Sequence, residues 1–551
     1  MKSALETENT TLANRLILAA IIILALALRA VGVWFGYPAL SEADEGLQFI
    51  NPAFQILDFS TSKGLAPVTH NGPLSKYILA LVFGLWGILG SIFMPLDTLI
   101  ETWRNTTLAY VIGRLVLGAL PGAVAVGIMY LIGKRMASTL AGLVAAFFLA
   151  VAFKAVEYGH LAKSDSLVVC CLVLLLHFSL RFQETGRARD LYLAAFCWAA
   201  GAAVKISLAP ALIIIFAAPF LIHGNTGLRK LNLAMKVSAV GIITLLILHI
   251  PYFLNFREFE RMVLDPFVIV NKMEKGFFWY FRPDIYPSFQ RPTACIGWTL
   301  LSICLLGLIL FILRRDRRAW LLLPFPILYY LFLGSASTKE MRYFLPILPF
   351  LCLGGGFFFV WLFSRLAAWR GRYILVVAFV LAVAWPNLYH SAIYSLQAAD
   401  GNVELQVIRA IASLRGDDTP WTILFQTGKA SPSQIPANHV VGISLTNRAG
   451  SDSGMPSGAT ALQNSEEFLS ARGLKMVAVN EAWAEELDKL LHCPLNYPTQ
   501  MQSYRSFIAY LRSNWVKIST FTPRFQQTWG EGTFAGRQAV FTLYRDPNFI
   551  P

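Results

Sequence analysis

Two neighbouring carboxylates, Asp44 and Glu45, stand where the first long apolar segment of the chain gives way to a polar loop. Ionisable residues close to a membrane are costly to place there and often serve a function. The pair suits a general base with a neighbour that orients it, and it also suits two ligands of a divalent metal ion. The alternative is a hydrated acidic loop without a chemical role. The residues alone leave these interpretations open.

Basic residues interrupt apolar sequence at two further places. Lys205 divides the largely apolar stretch 191–222, and Lys339 and Arg342 lie between two later apolar segments. Several cations on the outer face of a membrane cavity are what a lipid phosphate requires. The alternative for Lys205 is a side chain that snorkels to the membrane surface. Arg114, one turn inside its apolar segment, either meets the same anion or forms an ion pair that locks helices together.

Asp165 and the segment that begins at His70 complete the polar candidates. Asp165 directly precedes an apolar segment, so it either caps a helix or binds the hydroxyl groups of a substrate. His70 opens the run His-Asn-Gly-Pro-Leu, which predicts the start of a helix that contains Lys76, since proline is ordinary near a helix start. Arg29, near the outer end of the first apolar segment, is expected to snorkel.

The composition places these residues in a membrane protein. Of the 551 residues, 56% are hydrophobic and 14% are charged, whereas soluble proteins average about 25% charged residues. The net charge of +14 resides largely in short basic clusters between apolar segments, and no continuous polar surface for nucleic acid is visible. The seven cysteines are scattered without CxxC or Cys/His metal spacing, which argues against a zinc site or a disulfide scaffold.

The apolar segments predict a polytopic helical protein. A helix needs about twenty residues to span a bilayer, and twelve segments approach that length: 16–35, 75–95, 108–132, 138–156, 166–182, 191–204, 206–222, 234–254, 294–313, 319–335, 343–363 and 373–389. Basic clusters follow alternate segments and mark the cytoplasmic side. With a cytoplasmic N-terminus, the segment 75–95 cannot cross once, so it forms either a hairpin or an interfacial helix. The expectation is about eleven spans, an interfacial helix and an extracytoplasmic C-terminus.

The composition changes near residue 392. We expect a transmembrane catalytic domain over residues 1–392, with an outer loop at 36–107, and an extracytoplasmic domain over 393–551. Strand-like runs at 421–425 and 475–479 alternate with helical stretches at 465–471 and 481–491, which indicates a small α/β domain. The fold class is therefore a polytopic α-helical membrane protein with a C-terminal soluble α/β domain.

The order of the polar motifs is more specific than any one of them. The motifs are Asp44-Glu45, the His70 run, Arg114, Lys163-Ser164-Asp165, Lys205 at a helix break, and Lys339-Glu340-Met341-Arg342-Tyr343 before a late span. This order resembles the polytopic GT-C glycosyltransferases, specifically the group of protein O-mannosyltransferases and aminoarabinose transferases, over about residues 14–392. In that family a second proline often stands where this chain has Gly72.

The resemblance implies transfer of a sugar from a polyprenyl-phosphate donor to a protein, lipid or glycan acceptor on the non-cytoplasmic face, with inversion at the anomeric carbon. It implies that Asp44 is the catalytic carboxylate and Glu45 its partner, and we group Asp165 with them. Expected donor contacts come from Lys205, Lys339, Arg342, Tyr343, His70, Lys76 and Arg114. No cofactor is implied, and a divalent cation stays open.

Two other classes of protein compete with this interpretation. A transporter or flippase for lipid-linked sugars would explain the many spans and the basic cavity, but such proteins often have paired internal repeats and the sequence shows none. A membrane-anchored scaffold would explain the C-terminal domain but not the charges within apolar segments.

Overall fold

The computed structural model describes residues 12–35, 45–57, 71–93, 95, 97–98, 107–222, 226–254, 256, 260, 287–335, 341–399, 403–414, 422–425, 440–441, 474–481, 498–522 and 541–548. Eighteen helices within these ranges are numbered in chain order: α1 (Leu12–Ala30), α2 (Asn51–Leu57), α3 (Leu74–Gly90), α4 (Leu108–Met136), α5 (Thr139–Val151), α6 (Phe153–Gly159), α7 (Asp165–Thr185), α8 (Ala188–Val204), α9 (Leu212–Ala217), α10 (Gly227–Leu248), α11 (Ile250–Phe253), α12 (Pro287–Leu313), α13 (Ala319–Leu322), α14 (Pro324–Ser335), α15 (Leu348–Arg365), α16 (Arg372–Ala399), α17 (Val403–Leu414) and α18 (Pro498–Asn514).

Long apolar helices dominate the first four hundred residues, as the composition predicts. Within the described ranges, seven helices are long and apolar enough to cross a membrane, and the bent pair α5–α6 makes an eighth. The other predicted spans coincide with shorter helical segments: α8, the region Ile206–Leu221 and the region Ala319–Leu331. The polytopic helical fold is thus confirmed, and the number of eleven crossings stays a prediction.

The helix α3 lies where the sequence predicts an interfacial helix. It has 17 residues, fewer than the twenty or so that a crossing needs. One face, which includes Leu79 and Phe83, packs against α2, while Leu81 and Leu85 on the other face are exposed. A helix with a packed face and an exposed apolar face fits the interfacial interpretation.

A bend of 58° separates α5 from α6, where the sequence predicts one continuous span. Ala152 leaves the helical conformation there (ψ 115°), so the last carbonyls of α5 need other donors. The Arg29 guanidinium donates to the carbonyls of Leu149 and Ala150 at 3.0 and 2.9 Å, and the Ser391 hydroxyl donates to Val151 at 2.9 Å. Backbone groups freed by the bend therefore bond to side chains from α1 and α16.

Arg29 does not snorkel, contrary to the expectation from its position. Its side chain is buried, and it also donates to the Ala25 carbonyl at 2.9 Å. Gly122 and Gly159 form the slot for it, because a Cβ atom on either would lie within 3 Å of the Arg29 side chain. Hydropathy places the residue near the membrane surface but cannot show that a second helix breaks beside it.

The second break in the helical bundle falls at Lys205. This residue is extended (φ −155°, ψ 117°), and a 3₁₀ helix, Ile206–Ala211, follows with Pro210 inside it. Proline inside an α-helix clashes with the carbonyl four residues earlier, so Pro210 disfavours a regular continuation of α8. The predicted span 206–222 is consequently an irregular succession of short helical segments.

The C-terminal region contains a five-stranded mixed sheet. Its strands are β1 (Thr422–Phe425), β2 (Val440–Val441), β3 (Leu474–Asn480), β4 (Val516–Phe521) and β5 (Phe541–Arg545), in the order β2-β1-β3-β5-β4. β1 pairs in parallel with β2 and β3, and β5 is antiparallel to β3 and β4.

A small core joins this sheet to α17. Val403, Val407 and Ile411 repeat at the helical period, and they share one apolar cluster with alternate residues of two strands, among them Met476 and Leu543. The predicted α/β character and both predicted strands are confirmed. The predicted helix at 465–471 and most of the one at 481–491 lie outside the described residues. The boundary at 392 stays a prediction, and α16 runs through it to Ala399.

Candidate active site

Most of the described candidate residues form two charged clusters. Three of the expected site residues, Asp44, His70 and Lys339, lie outside the described residues. The structure describes Glu45, Lys76, Arg114, Asp165, Lys205, Arg342 and Tyr343.

The first cluster is a buried ion pair between Glu45 and Arg114. Nε and Nη2 of Arg114 donate to the two carboxylate oxygens of Glu45 at 3.0 and 2.6 Å, and both side chains are fully buried. The backbone N–H of Ala162 donates to the same carboxylate at 2.6 Å. This bidentate geometry is the strong form of the arginine–carboxylate interaction. Of the two roles that the sequence leaves open for Arg114, the geometry supports the ion pair between segments.

Arg114 also holds the backbone that leads towards Asp44. Its Nη1 donates to the carbonyls of Val33 and Phe35 at 2.6 and 2.8 Å, and the guanidinium lies 3.7 Å from the centre of the Phe35 ring. Residues on both sides of 36–44 are therefore attached to one buried guanidinium. We infer that this cluster anchors the segment that carries Asp44, which immediately precedes Glu45.

His160 contacts the same backbone a few residues earlier in the chain. Its Nε2 lies 2.9 Å from the Val31 carbonyl, and its Nδ1 lies 3.0 Å from the carbonyl of Val156. Burial lowers the pKa of His160, and the charges of Arg29 and Arg114 act in the same direction. A neutral imidazole has one N–H, so at neutral pH His160 donates to one of these two carbonyls.

The second cluster surrounds Asp165. Lys205 Nζ lies 2.7 Å from the Oδ1 atom of Asp165 and 5.1 Å from the centre of the Tyr343 ring. The Arg342 guanidinium lies 5.5 Å from the centre of the same ring. Lys163 and Arg342 are also close enough to act electrostatically on Asp165. Among the described residues, three cations therefore surround this one carboxylate.

Asp165 is the first residue of α7, and its side chain is held by an ion pair with Lys205, at the break after α8. The sequence leaves open whether it caps a helix or takes part in a site. Its pairing with Lys205 across 40 residues of chain places it in the charged cluster.

The start of α3 is packed against the helix break that presents Lys205. The N–H of Gly72 donates to the Val204 carbonyl at 3.0 Å. A Cβ atom on Gly72 would lie 2.0 Å from the Ala203 carbonyl oxygen, so only glycine permits this approach. Proteins of the family that this chain resembles often have proline at this position. Here, Gly72 allows the start of α3 to pack against the helix break at Lys205.

Lys76 is buried on the inner face of α3. Its ammonium contacts the Tyr252 hydroxyl, and it donates to the Asn71 carbonyl at 3.3 Å. Burial lowers the pKa of Lys76 to about 7, because taking an ammonium group out of water disfavours its charged form. Lys76 therefore loses its proton more readily than an exposed lysine does.

The lowered pKa of Lys76 predicts a pH-dependent stability. Between the folded pKa of about 7 and the unfolded value near 10.5, the unfolded chain binds more protons, so the free energy of unfolding rises with pH through this window. We expect Lys76→Met to remove this rise and to be more stable than the wild type at pH 7 by a few kcal/mol. Denaturant unfolding in mixed micelles at pH 7 and pH 10 measures the difference.

A matched control for this prediction is Lys236→Met, since Lys236 is exposed on α10. Equal pH dependence in the wild type and Lys76→Met would contradict the prediction.

Sequence analysis missed several residues that hold the site together. Gln48, Ser164 and Tyr252 all contact Asn71, a residue that the sequence singled out only as part of a weak helix-start motif. The sequence offers one signal for two of them: Gln48 and Ser164 are polar residues close to Glu45 and Asp165, respectively. Among the described residues, no group of three or more His, Cys, Asp or Glu side chains is arranged to hold a metal ion.

A family model and the fold both indicate which known proteins this chain resembles. Residues 111–254 match the model of the dolichyl-phosphate-mannose-protein mannosyltransferase family, a region that includes Arg114, Asp165 and Lys205. With the helical architecture, this match confirms the resemblance to GT-C glycosyltransferases of the O-mannosyltransferase and aminoarabinose-transferase type.

Solved structures share the fold at low sequence identity. The apo oligosaccharyltransferase of Archaeoglobus fulgidus is 12% identical, with a TM-score of 0.53 over 94% of this chain and 74% of that one. The same archaeal enzyme in complex with an inhibitory peptide and a dolichol-phosphate is 12% identical, with a TM-score of 0.52 over 99% of this chain and 75% of that one. No curated protein matches the sequence significantly.

Proposed function

We propose that this protein is a glycosyltransferase that moves a sugar from a polyprenyl-phosphate donor to an acceptor on the non-cytoplasmic face of the membrane. The observation that carries the proposal is the cationic cluster of Lys163, Lys205 and Arg342 around Asp165. Lysine and arginine side chains gathered in a largely buried site suit a phosphate group. A structural neighbour, the archaeal oligosaccharyltransferase, has been solved with a dolichol-phosphate, which supports a lipid phosphate as the ligand class.

The proposed reaction is a displacement at the anomeric carbon. Asp44 takes the proton from the acceptor while the acceptor's nucleophilic atom forms a bond to C1. The bond between C1 and the phosphate oxygen breaks, and the electron pair leaves with the lipid phosphate. Lys205 and Arg342 stabilise the charge that develops on this phosphate, in a site partly shielded from water. Attack from the side opposite the leaving group inverts the configuration at C1.

In this proposal, Glu45 fixes the backbone next to Asp44 and does not itself transfer the proton. Each of its carboxylate oxygens already accepts a hydrogen bond from Arg114, and one also accepts from Ala162. Both oxygens of this carboxylate are thus engaged in holding residues of other segments. We therefore assign proton transfer to Asp44 and the fixing of its backbone to Glu45.

The cations near Asp165 are tested by lipid binding. We expect Lys205→Ala and Arg342→Ala each to weaken binding of polyprenyl phosphate about tenfold or more, because a hydrogen bond to a charged group contributes about 1.5–3 kcal/mol. Titration of the lipid into protein in nanodiscs measures the affinity. Lys236→Ala, at an exposed cation on α10, is the matched control and should bind as the wild type does.

Wild-type affinity in both variants would remove these residues from the phosphate site. Movement of the intact lipid-linked sugar between leaflets, without transfer of the sugar, would support a flippase instead.

We further propose that the N-terminus is cytoplasmic and that the C-terminal domain lies outside the cytoplasm. The alternating basic clusters support this orientation. Cysteines introduced at Ser91, exposed at the end of α3, and at Lys517, exposed on β4, should react with an impermeant reagent added to the outside of intact cells or spheroplasts. Labelling of Lys517→Cys from the cytoplasmic side alone would reverse the proposed orientation.

A further inference from the structure

Asn71 contacts four separate parts of the fold. Its side-chain Nδ2 donates to the side-chain Oε1 of Gln48, and its Oδ1 accepts a hydrogen bond from the Ser164 hydroxyl at 3.1 Å. Its backbone carbonyl accepts from Lys76 at 3.3 Å and from the Tyr252 hydroxyl at 3.1 Å. One residue thus joins the turn after Glu45, the loop before α7, the helix α3 and the helix α11.

The two ends of the Asn71 amide point to the two clusters of the candidate site. Gln48 belongs to the π-helical turn Gly46–Ile50, which directly follows Glu45. Ser164 directly precedes Asp165, the partner of Lys205. An amide offers donors at one end and an acceptor at the other, and Asn71 uses one end for each cluster. Its side chain therefore bridges the segment of the proposed base and the proposed phosphate site.

Asn71 is held in place by the residue that follows it. The Gly72 N–H bonds to the Val204 carbonyl, and the space for a Gly72 Cβ is filled by the Ala203 carbonyl. Asn71 is consequently fixed to the helix break at Lys205. A displacement of the bridge would require movement of the break itself.

We propose that Asn71 is a positioning residue that holds the turn Gly46–Ile50, directly after Glu45, against the proposed phosphate site. The proposal rests on the proposed transferase function, and it assigns Asn71 no contact with the reacting atoms. A misplacement of reacting groups by about 1 Å can cost about a hundredfold in rate. Asn71 therefore acts on the rate of transfer and leaves the affinity for lipid phosphate nearly unchanged.

A set of variants separates this role from general destabilisation. We expect Asn71→Ala to lower kcat about ten- to a hundredfold, with lipid-phosphate affinity within about threefold of wild type. Gln48→Ala and Ser164→Ala should each lower kcat, and the double variant should be no slower than the slower single, because either change breaks the same bridge. In the Asn71→Ala background neither change should lower kcat further.

A structural readout tests the same bridge without turnover. Hydrogen–deuterium exchange should increase in Asn71→Ala for peptides covering 45–57, because their link to the loop before α7 is lost. The matched control is Asn514→Ala, at an exposed asparagine that ends α18 in the C-terminal region. This control should leave exchange over 45–57 unchanged.

Three outcomes are decisive for Asn71. Turnover by Asn71→Ala within about twofold of wild type would overturn the proposal, as would independent, multiplying effects of Gln48→Ala and Ser164→Ala. Unchanged exchange over 45–57 in Asn71→Ala would also overturn it. A wild-type protein without any sugar transfer would refute the proposed function, and the exchange experiment would still decide whether Asn71 makes the bridge.

Discussion

Asp44→Asn is expected to lower kcat for sugar transfer about 10²- to 10⁴-fold, the range that general base catalysis contributes. Asparagine keeps the shape of the side chain but cannot accept the acceptor's proton. The lipid-phosphate affinity should stay within about threefold of wild type, because the cations near Asp165 are unchanged. The measurement is turnover of a radiolabelled polyprenyl-phosphate sugar by purified protein in nanodiscs, with lipid binding measured on the same preparation.

The matched control for Asp44 is Asp97→Asn, since Asp97 is an exposed carboxylate in the same predicted outer region, 36–107. Its turnover should equal that of the wild type. Undiminished transfer by Asp44→Asn would sink the assignment of Asp44 as the base. Loss of transfer together with loss of lipid binding would assign Asp44 to binding.

Arg114→Met should lower the free energy of unfolding by about 3–5 kcal/mol, because it leaves the Glu45 carboxylate buried without its partner. Transfer should also be lost, since the carbonyls of Val33 and Phe35 lose the donor that fixes the approach to Asp44. Adding Glu45→Leu should recover part of the unfolding free energy, because no unpaired charge then remains, but not the transfer. Denaturant unfolding in mixed micelles measures the first effect and donor turnover the second.

The exposed ion pair Arg135–Glu184 provides the control for this variant. Its side chains are 30% and 42% exposed, and exposed pairs contribute about 0.2–1 kcal/mol. Arg135→Met should therefore change the free energy of unfolding by less than about 1 kcal/mol. A change of less than about 1 kcal/mol for Arg114→Met, with transfer retained, would contradict the prediction. The buried pair would then contribute neither to stability nor to transfer.

The helical part of the fold follows closely from local properties of the sequence. Each predicted apolar span coincides with a helical segment, because hydropathy is a property of each segment alone. The bend within 138–156, which the sequence does not predict, depends on neighbouring segments. The bend at Ala152 is stabilised by Arg29 and Ser391, and no pattern within 138–156 identifies those donors.

The candidate site was predictable as a set of residue types but not as an arrangement. The order of acidic and basic motifs, through the family resemblance that it carries, predicts a catalytic carboxylate and a phosphate site. It left open whether Arg114 binds an anion or another residue, and whether Asp165 caps a helix. These roles depend on partners that are 69 residues away for Arg114 and 40 residues away for Asp165.

Local sequence properties are sufficient to identify a polytopic membrane protein with a C-terminal α/β domain and the ordered polar motifs of a GT-C glycosyltransferase. Hydropathy, charge distribution and motif order are properties of the linear sequence, so they do not depend on which distant residues are in contact. The folded chain was needed to establish that Glu45 is bound by Arg114, that Arg29 is buried at a helix break, and that Asn71 bridges Gln48 and Ser164. Those pairings arise where separate helices pack together, so the packing, and not the local sequence, selects each partner.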